Sequence, residues 1–166
     1  SLTNSKALTY EATSATAYFI GGVAGSVANA NVSILTNTGD ITLGGKLTTG
    51  RKGEKNIYVD TPSLGGVVGT LQANKNTSVK NSIVDCENSG KVNLNESFKI
   101  VSSANVGGVV AFVEKNTALV SGCYNSGAIT YLGECLTFGQ KKKYGNTSMN
   151  IGGVAGLCWA EKVDNC

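Results

Sequence analysis

A double glycine that occurs four times constrains this chain more than any other feature. The copies are Ile20-Gly21-Gly22-Val23-Ala24-Gly25, Leu64-Gly65-Gly66-Val67-Val68-Gly69, Val106-Gly107-Gly108-Val109-Val110-Ala111 and Ile151-Gly152-Gly153-Val154-Ala155-Gly156. Their first glycines lie 44, 42 and 45 residues apart. A fixed period of this size marks stacked repeats, in which each unit buries its apolar face only against its neighbours.

A second block follows each double glycine. It reads Val32-x-x-Leu35-Thr36-Asn37-Thr38-Gly39-Asp40-Ile41, then Ile83-x-x-Cys86-Glu87-Asn88-Ser89-Gly90-Lys91-Val92, then Val120-x-x-Cys123-Tyr124-Asn125-Ser126-Gly127-Ala128-Ile129. Val163-x-x-Cys166 begins a further copy, and Leu2-Thr3-Asn4-Ser5-Lys6-Ala7-Leu8-Thr9-Tyr10 supplies the second half of one. The repeats therefore run over about 1–10 (half), 20–43, 64–94, 106–131 and 151–166 (half). The chain opens and closes inside a repeat at nearly the same phase, without the atypical capping units of a self-contained solenoid. It is expected to be a segment of a longer array, or to stack neighbouring chains on its open ends.

The residue types specify strands. Charged residues make up 15% of the 166, proline occurs once, at Pro62, and Gly (22), Asn, Ser and Thr dominate the polar fraction. Valine, isoleucine and threonine favour strands, while glycine and asparagine supply turns. Three residues separate the apolar residue before each double glycine from the valine after it, so a bend is expected at the glycines, which also permit close backbone approach. The Asn-Ser/Thr-Gly triplets read as turns. After them, Ile41 to Leu43, Val92 to Leu94 and Ile129 to Tyr131 read as short strands whose apolar residues form ladders in one continuous interior. The fold class is thus all-β: a β-solenoid resembling a parallel β-helix, with four repeats of about 44 residues forming a single unit over 1–166. Whether a repeat makes one coil or two of about 20 residues is left open. The insertions at 44–63 and 133–150 are expected to loop out.

The pattern resembles the GLUG-type repeats of bacterial secreted and surface proteins, which pair a Gly-Gly-(Val/Leu)-(Val/Ala)-Gly strand with a Cys-Tyr-Asn-Ser-Gly-like turn. The nearest stretch is Gly122-Cys123-Tyr124-Asn125-Ser126-Gly127-Ala128-Ile129, and the departures are Lys6 for the turn glycine and Ala111 for a motif glycine. The resemblance implies a β-solenoid in an extracellular or cell-surface protein with adhesive or scaffolding use, and no catalytic residues.

The residues themselves nominate no catalytic, cofactor-binding or metal-ligating position. Histidine is absent, which removes the commonest general base and every Ser-His or Cys-His arrangement. Among the acids, Asp85 and Glu87 flank Cys86 and read as a solvated outer face. Cys86, Cys123 and Cys166 share a repeat position that Leu2 and Leu35 fill elsewhere, so they read as buried thiols in a small apolar slot. Cys135 and Cys158 lie off that position and could pair, which depends on a distance that spacing does not give. No spacing suits zinc. The double-glycine motif lacks the Lys-Ser/Thr of a phosphate loop, and a Thr-x-Thr of the ice-binding kind occurs once, at Thr36-Asn37-Thr38.

The net charge of +3 and a lone basic run, Lys141 to Lys143, do not support nucleic-acid binding. No apolar stretch reaches the ~18 residues of a membrane span. The polar stretch from Ser1 shows no signal-peptide pattern, and the chain is read as mature or cropped. Four sequons occur, at Asn31, Asn76, Asn95 and Asn146. The expected function is a non-catalytic cell-surface module, an adhesin-like stalk or scaffold whose partners are glycans or host and cell-surface proteins. The alternatives are a subunit of a head-to-tail filament and a carbohydrate-binding or polysaccharide-degrading β-helix.

Overall fold

The computed structural model describes residues 1–12, 18–45, 62–72, 80–95, 99–100, 103–115, 117–132, 134–135 and 148–166. Every strand pair within them is parallel, and strands of the same repeat position stack in register. Each repeat makes one coil, because the glycine block and the Asn-turn block enter different sheets and never pair with one another.

One turn of the coil passes through five walls. The first wall holds Leu2–Asn4, Leu35–Asn37, Glu87–Asn88 and Tyr124–Asn125. The second holds Leu8–Ala12, Ile41–Gly45, Val92–Leu94 and Ile129–Tyr131. Phe19–Gly21, Ser63–Gly65, Ala104–Gly107 and Met149–Gly152 form the third. The fourth is built from Ala24–Ala28, Val68–Gln72, Val110–Val113 and Ala155–Cys158, and the fifth from Asn31–Ser33, Asn81–Val84, Thr117–Ser121 and Lys162–Asp164. The half-repeats at the two ends complete the first and fourth turns, giving four coils over 2–33, 35–84, 87–121 and 124–164. Much of the insertions at 44–63 and 133–150 lies outside the described residues. Within the second insertion, however, Glu134–Cys135 does not loop out: it pairs with Lys99–Ile100 as a small additional sheet.

The interior is not the single apolar space that the strand pattern predicts. One core lies between the second and third walls, where Ile41, Leu43, Leu64, Val92, Leu94 and Val106 are fully or almost fully buried. A separate core gathers Val68, Leu71, Ile83, Val110 and Val120 from the fourth and fifth walls, together with Val67 from the bend before the fourth wall and the buried Cys86 and Cys123. The chain crosses between these two lobes twice per turn, at the double glycine and at the Asn turn, and there the crossings touch. A Cβ on Gly22 would stand 2.4 Å from Asn37 Oδ1, one on Gly66 2.4 Å from Asn88 Cγ, and one on Gly108 2.3 Å from Asn125 Cγ. The second glycine is bare because the asparagine of the next coil and the carbonyl oxygen of that coil's own second glycine, 2.5, 2.1 and 1.9 Å from the three Cβ positions, together occupy the space of its side chain.

That asparagine is satisfied on every side. Asn4, Asn37 and Asn88 each donate from Nδ2 to the Oδ1 of the asparagine one coil on, at 2.7, 2.8 and 2.7 Å. Each Nδ2, that of Asn125 included, also donates to the carbonyl two residues ahead, on Lys6, Gly39, Gly90 and Gly127. A carbonyl only accepts, so this second bond fixes which end of each amide is nitrogen. Asn37 and Asn88 are 0% and 1% exposed, where an unpaired amide would be costly. Turn glycines stack beside this column. A Cβ on Gly39, Gly90 or Gly127 would lie 2.0, 2.1 or 2.0 Å from the carbonyl oxygen of the equivalent residue one coil earlier. Lys6 is exposed in the first coil, with no earlier equivalent among the described residues. Nothing in the structure explains why Ala111 is accommodated where its counterparts are glycine.

A third column turns the corner from the fifth wall into the first. Ile34, Asp85, Gly122 and Asn165 occupy equivalent places with φ of 55°, 51°, 60° and 52°. Aspartate, asparagine and glycine accept this left-handed geometry readily, whereas a β-branched residue pays about 1–2 kcal/mol for it.

Denaturation midpoints test these three columns. Gly66→Ala and Asn88→Ala are each expected to lose about 2–3 kcal/mol, through overpacking and through unpaired buried groups respectively. Gly153→Ala, at the same motif position but with nothing within 4 Å of its Cβ, is expected to change stability by less than about 0.5 kcal/mol. Ile34→Asn is expected to stabilise the chain by about 1 kcal/mol by relieving the left-handed corner.

Candidate functional site

The double glycine does more than clear room for an amide. By drawing the wall inward to the asparagine column, it makes the third and fourth walls splay outward from the waist, so that their outer faces confront one another. The third motif glycine marks how close they come: a Cβ on Gly25 would lie 2.5 Å from Phe19 O, and one on Gly69 2.7 Å from Ile20 N. Between the two faces runs a groove of about 380 Å³ that touches all four coils.

Its two sides differ in chemistry. The third wall contributes the column Phe19, Ser63, Asn105 and Asn150, paired in register across the coils. Asn150 Nδ2 donates to Asn105 Oδ1 at 2.8 Å, and Ser103 and Ser148 share a hydroxyl hydrogen bond of 2.6 Å just before it. The fourth wall offers Phe112 and Leu157, neighbours in register. Trp159 closes that side, its ring edge-on to Phe112 at 5.3 Å and 48% exposed, with Lys115 Nζ 5.6 Å from its centroid. Glu114 lies on the same rim. The third-wall side is thus amide and hydroxyl in three coils and aromatic, at Phe19, in the first, while the fourth-wall side is aromatic and aliphatic with Glu114 at its rim.

Two hydroxyls on these walls are buried without a hydrogen-bond partner among the described residues. Ser63 Oγ, on a residue 1% exposed, lines the groove itself, and Thr70 Oγ1 sits in the fourth wall in register with Phe112. Buried polar atoms are normally paired, so these mark unused hydrogen-bonding capacity.

The remaining sequence candidates are dispersed. Asp85 and Glu87 are both exposed, Asp85 at the left-handed corner, and they form a solvated outer edge as expected. Cys86 and Cys123 are buried free thiols, Cys166 is an exposed free thiol, and Cys158 is also free. Cys86, Cys123 and Cys166 all donate to the carbonyl two residues back, on Val84, Ser121 and Asp164, at 3.3, 3.4 and 3.2 Å. The hydrogen bond Cys123 shares with Cys86, and then burial, push its thiol pKa up, so it stays protonated and unreactive. The side chain of Cys135, the sequons at Asn76 and Asn146, and Lys141 to Lys143 lie outside the described residues. At the sequon of Asn31, Oδ1 accepts from Ser82 Oγ at 2.8 Å. Among the described residues, no three metal-ligating side chains cluster, and no helix is long and apolar enough to cross a membrane.

Sequence reading missed the groove because its residues fall at variable columns of the repeat: the one before the apolar-Gly-Gly core and the one after the third glycine. Aligning the copies column by column reveals a varied outer pair flanking a constant inner one, which is the signal available. Comparison with protein-family models, curated proteins and solved structures yields no match.

In native-state alkylation followed by mass spectrometry, Cys166 is expected to react first. Cys86 and Cys123 should be modified only at the rate of global unfolding; prompt labelling of either would contradict their buried placement.

Proposed function

We propose that this chain is a non-catalytic module of an extracellular or cell-surface protein, serving as an adhesin-like structural scaffold. The observation that carries this reading is the uninterrupted interlock of amide on glycine through all four coils. It ties every turn to the next at the centre of the cross-section as well as at the walls, which favours a stiff body over a flexible one. Parallel strands advance only about 4.8 Å per coil, so a repeat of about 44 residues builds breadth far faster than length. This geometry favours a broad display platform over a long, thin stalk. The surface assignment rests on the resemblance of the repeats to the GLUG type.

A second reading, carbohydrate binding without cleavage, is favoured by the groove. Sugars combine an apolar ring face with a fringe of hydroxyls, and the groove sets Phe112 and Trp159 opposite an amide and hydroxyl column. Pockets of this kind, apolar with a few placed polar groups, are the usual sites of small-ligand recognition.

Both readings meet in one experiment, incubation of the purified chain with a panel of soluble and insoluble polysaccharides. Saturable retention on at least one polysaccharide is expected, weakened about tenfold by Trp159→Ala, with no new reducing ends or unsaturated products. Release of such products would overturn the non-catalytic reading. Retention unaffected by Trp159→Ala would remove the groove from it.

A further inference from the structure

The groove between the third and fourth walls is drawn out along the stack. Its volume of about 380 Å³ is at the small end for ligand sites, which span about 300–1,000 Å³. Yet Phe19, Ser63, Asn105 and Asn150 enter it from four successive coils. With about 4.8 Å between coils, three intervals make a trough roughly 14 Å long. Its lining recurs at a fixed step, and a polymer that fills it has to recur at the same step. An extended peptide advances about 3.3 Å per residue, and its same-face side chains recur at twice that; neither distance keeps phase with the coils. A pyranose chain whose rings are joined through equatorial bonds, as in a β-1,4 linkage, is a straight ribbon advancing about 5 Å per ring, close to the coil step of about 4.8 Å. An α-1,4 or β-1,3 linkage curls the chain out of a straight trough.

The chemistry of the lining agrees with the step. A ring whose substituents are all equatorial has two C–H faces and a rim of hydroxyls that both donate and accept. Phe112 and Leu157, in register on consecutive coils, offer an apolar surface to such faces. Trp159 extends that surface, and its backbone N–H donates to Val113 O at 3.0 Å, which ties it to the third coil. Across the trough, Asn105 and Asn150 are bonded amide to amide one coil apart, and Ser103 and Ser148 are bonded hydroxyl to hydroxyl beside them. Amides and hydroxyls both donate and accept, so they serve either edge of rings that alternate in orientation along a β-1,4 chain. A polyproline segment, the other common guest of aromatic-lined grooves, has no N–H to give them. We propose that the groove takes an unbranched β-1,4-linked chain of equatorially substituted pyranoses, lying parallel to the stacking axis with one ring per coil. The proposal rests on the carbohydrate-binding reading of this groove and adds to it the linkage, the direction and the length of the chain bound.

Trp159 is the only tryptophan in the sequence, so its fluorescence reports directly on this groove in the native chain. The test titrates that chain with β-1,4-linked oligosaccharides of glucose, xylose and N-acetylglucosamine, from two to six rings long. Glucose hexasaccharides with α-1,4 and with β-1,3 linkages, and an octaproline, are the comparisons. At least one β-1,4 series is expected to change the Trp159 emission saturably, its affinity rising up to about three or four rings and then levelling, as a trough of that many coil steps requires. Its hexasaccharide should bind at least about tenfold more tightly than either comparison hexasaccharide. Equal or tighter binding of the α-1,4 or β-1,3 isomer, or a disaccharide that binds as well as the hexasaccharide, would overturn the proposal while leaving carbohydrate binding in place. Retention on polysaccharides with no change in Trp159 emission would overturn it too, by moving the sugar to another surface. Failure of every sugar both to alter the emission and to retain the chain, or a preference for octaproline over all of them, would overturn the carbohydrate reading and the proposal together.

Discussion

The contact between an asparagine amide and a bare glycine one coil earlier governs the rest of this molecule. It fixes the waist of the cross-section, and from the waist follow the two separate cores, the outward splay of the third and fourth walls and the groove between them. The energetic logic is asymmetric. A satisfied buried amide adds modestly to stability, whereas an unsatisfied one costs heavily, so the column specifies register more than it adds strength. A slip of any coil by one residue would strand amides and drive side chains into backbone. The apolar ladders oppose the same slip, because it would turn every core side chain to the other face.

Much of this was legible in the sequence. The period, the bend at the double glycine and the strands at Ile41, Val92 and Ile129 all follow from residue types and spacing, and each is where the spacing put it. The split interior was not legible. Asparagine in Asn-Ser/Thr-Gly is fully accounted for as a turn residue, and nothing in the triplet says that its amide also points inward. The hint lay in uneven variation: Asn4, Asn37, Asn88 and Asn125 never change, while the residue after them alternates between serine and threonine. A role confined to turn geometry would not demand that constancy. Likewise the single coil per repeat depends on which strands pair, a long-range fact that local pattern does not carry.

Departures from the motif are as informative as its copies. Lys6 looked like a loose match when read as one repeat among several; in the stack it occupies the one turn with no earlier coil against its side chain among the described residues. Ile34 breaks a local rule at the corner where its three equivalents obey it, and it is exposed, so the strain is not offset by burial. Connections between walls vary instead by many residues, since 6, 13, 8 and 6 residues separate the glycine block from the next apolar position. The lattice at the waist is held constant while the perimeter is free to change.

The amide column also has a direction. All three inter-coil bonds run from the nitrogen of one asparagine to the oxygen of the next coil's, so the side-chain dipoles add along the axis instead of cancelling as strand dipoles largely do. Hydrogen bonds aligned in series polarise one another. The stack is therefore electrically polar in the manner of a helix, its partial positive end at the fourth coil and its partial negative end at the first. By itself the column favours anions at the fourth-coil end and cations at the first, a contribution that adds to the larger one from the exposed charged side chains.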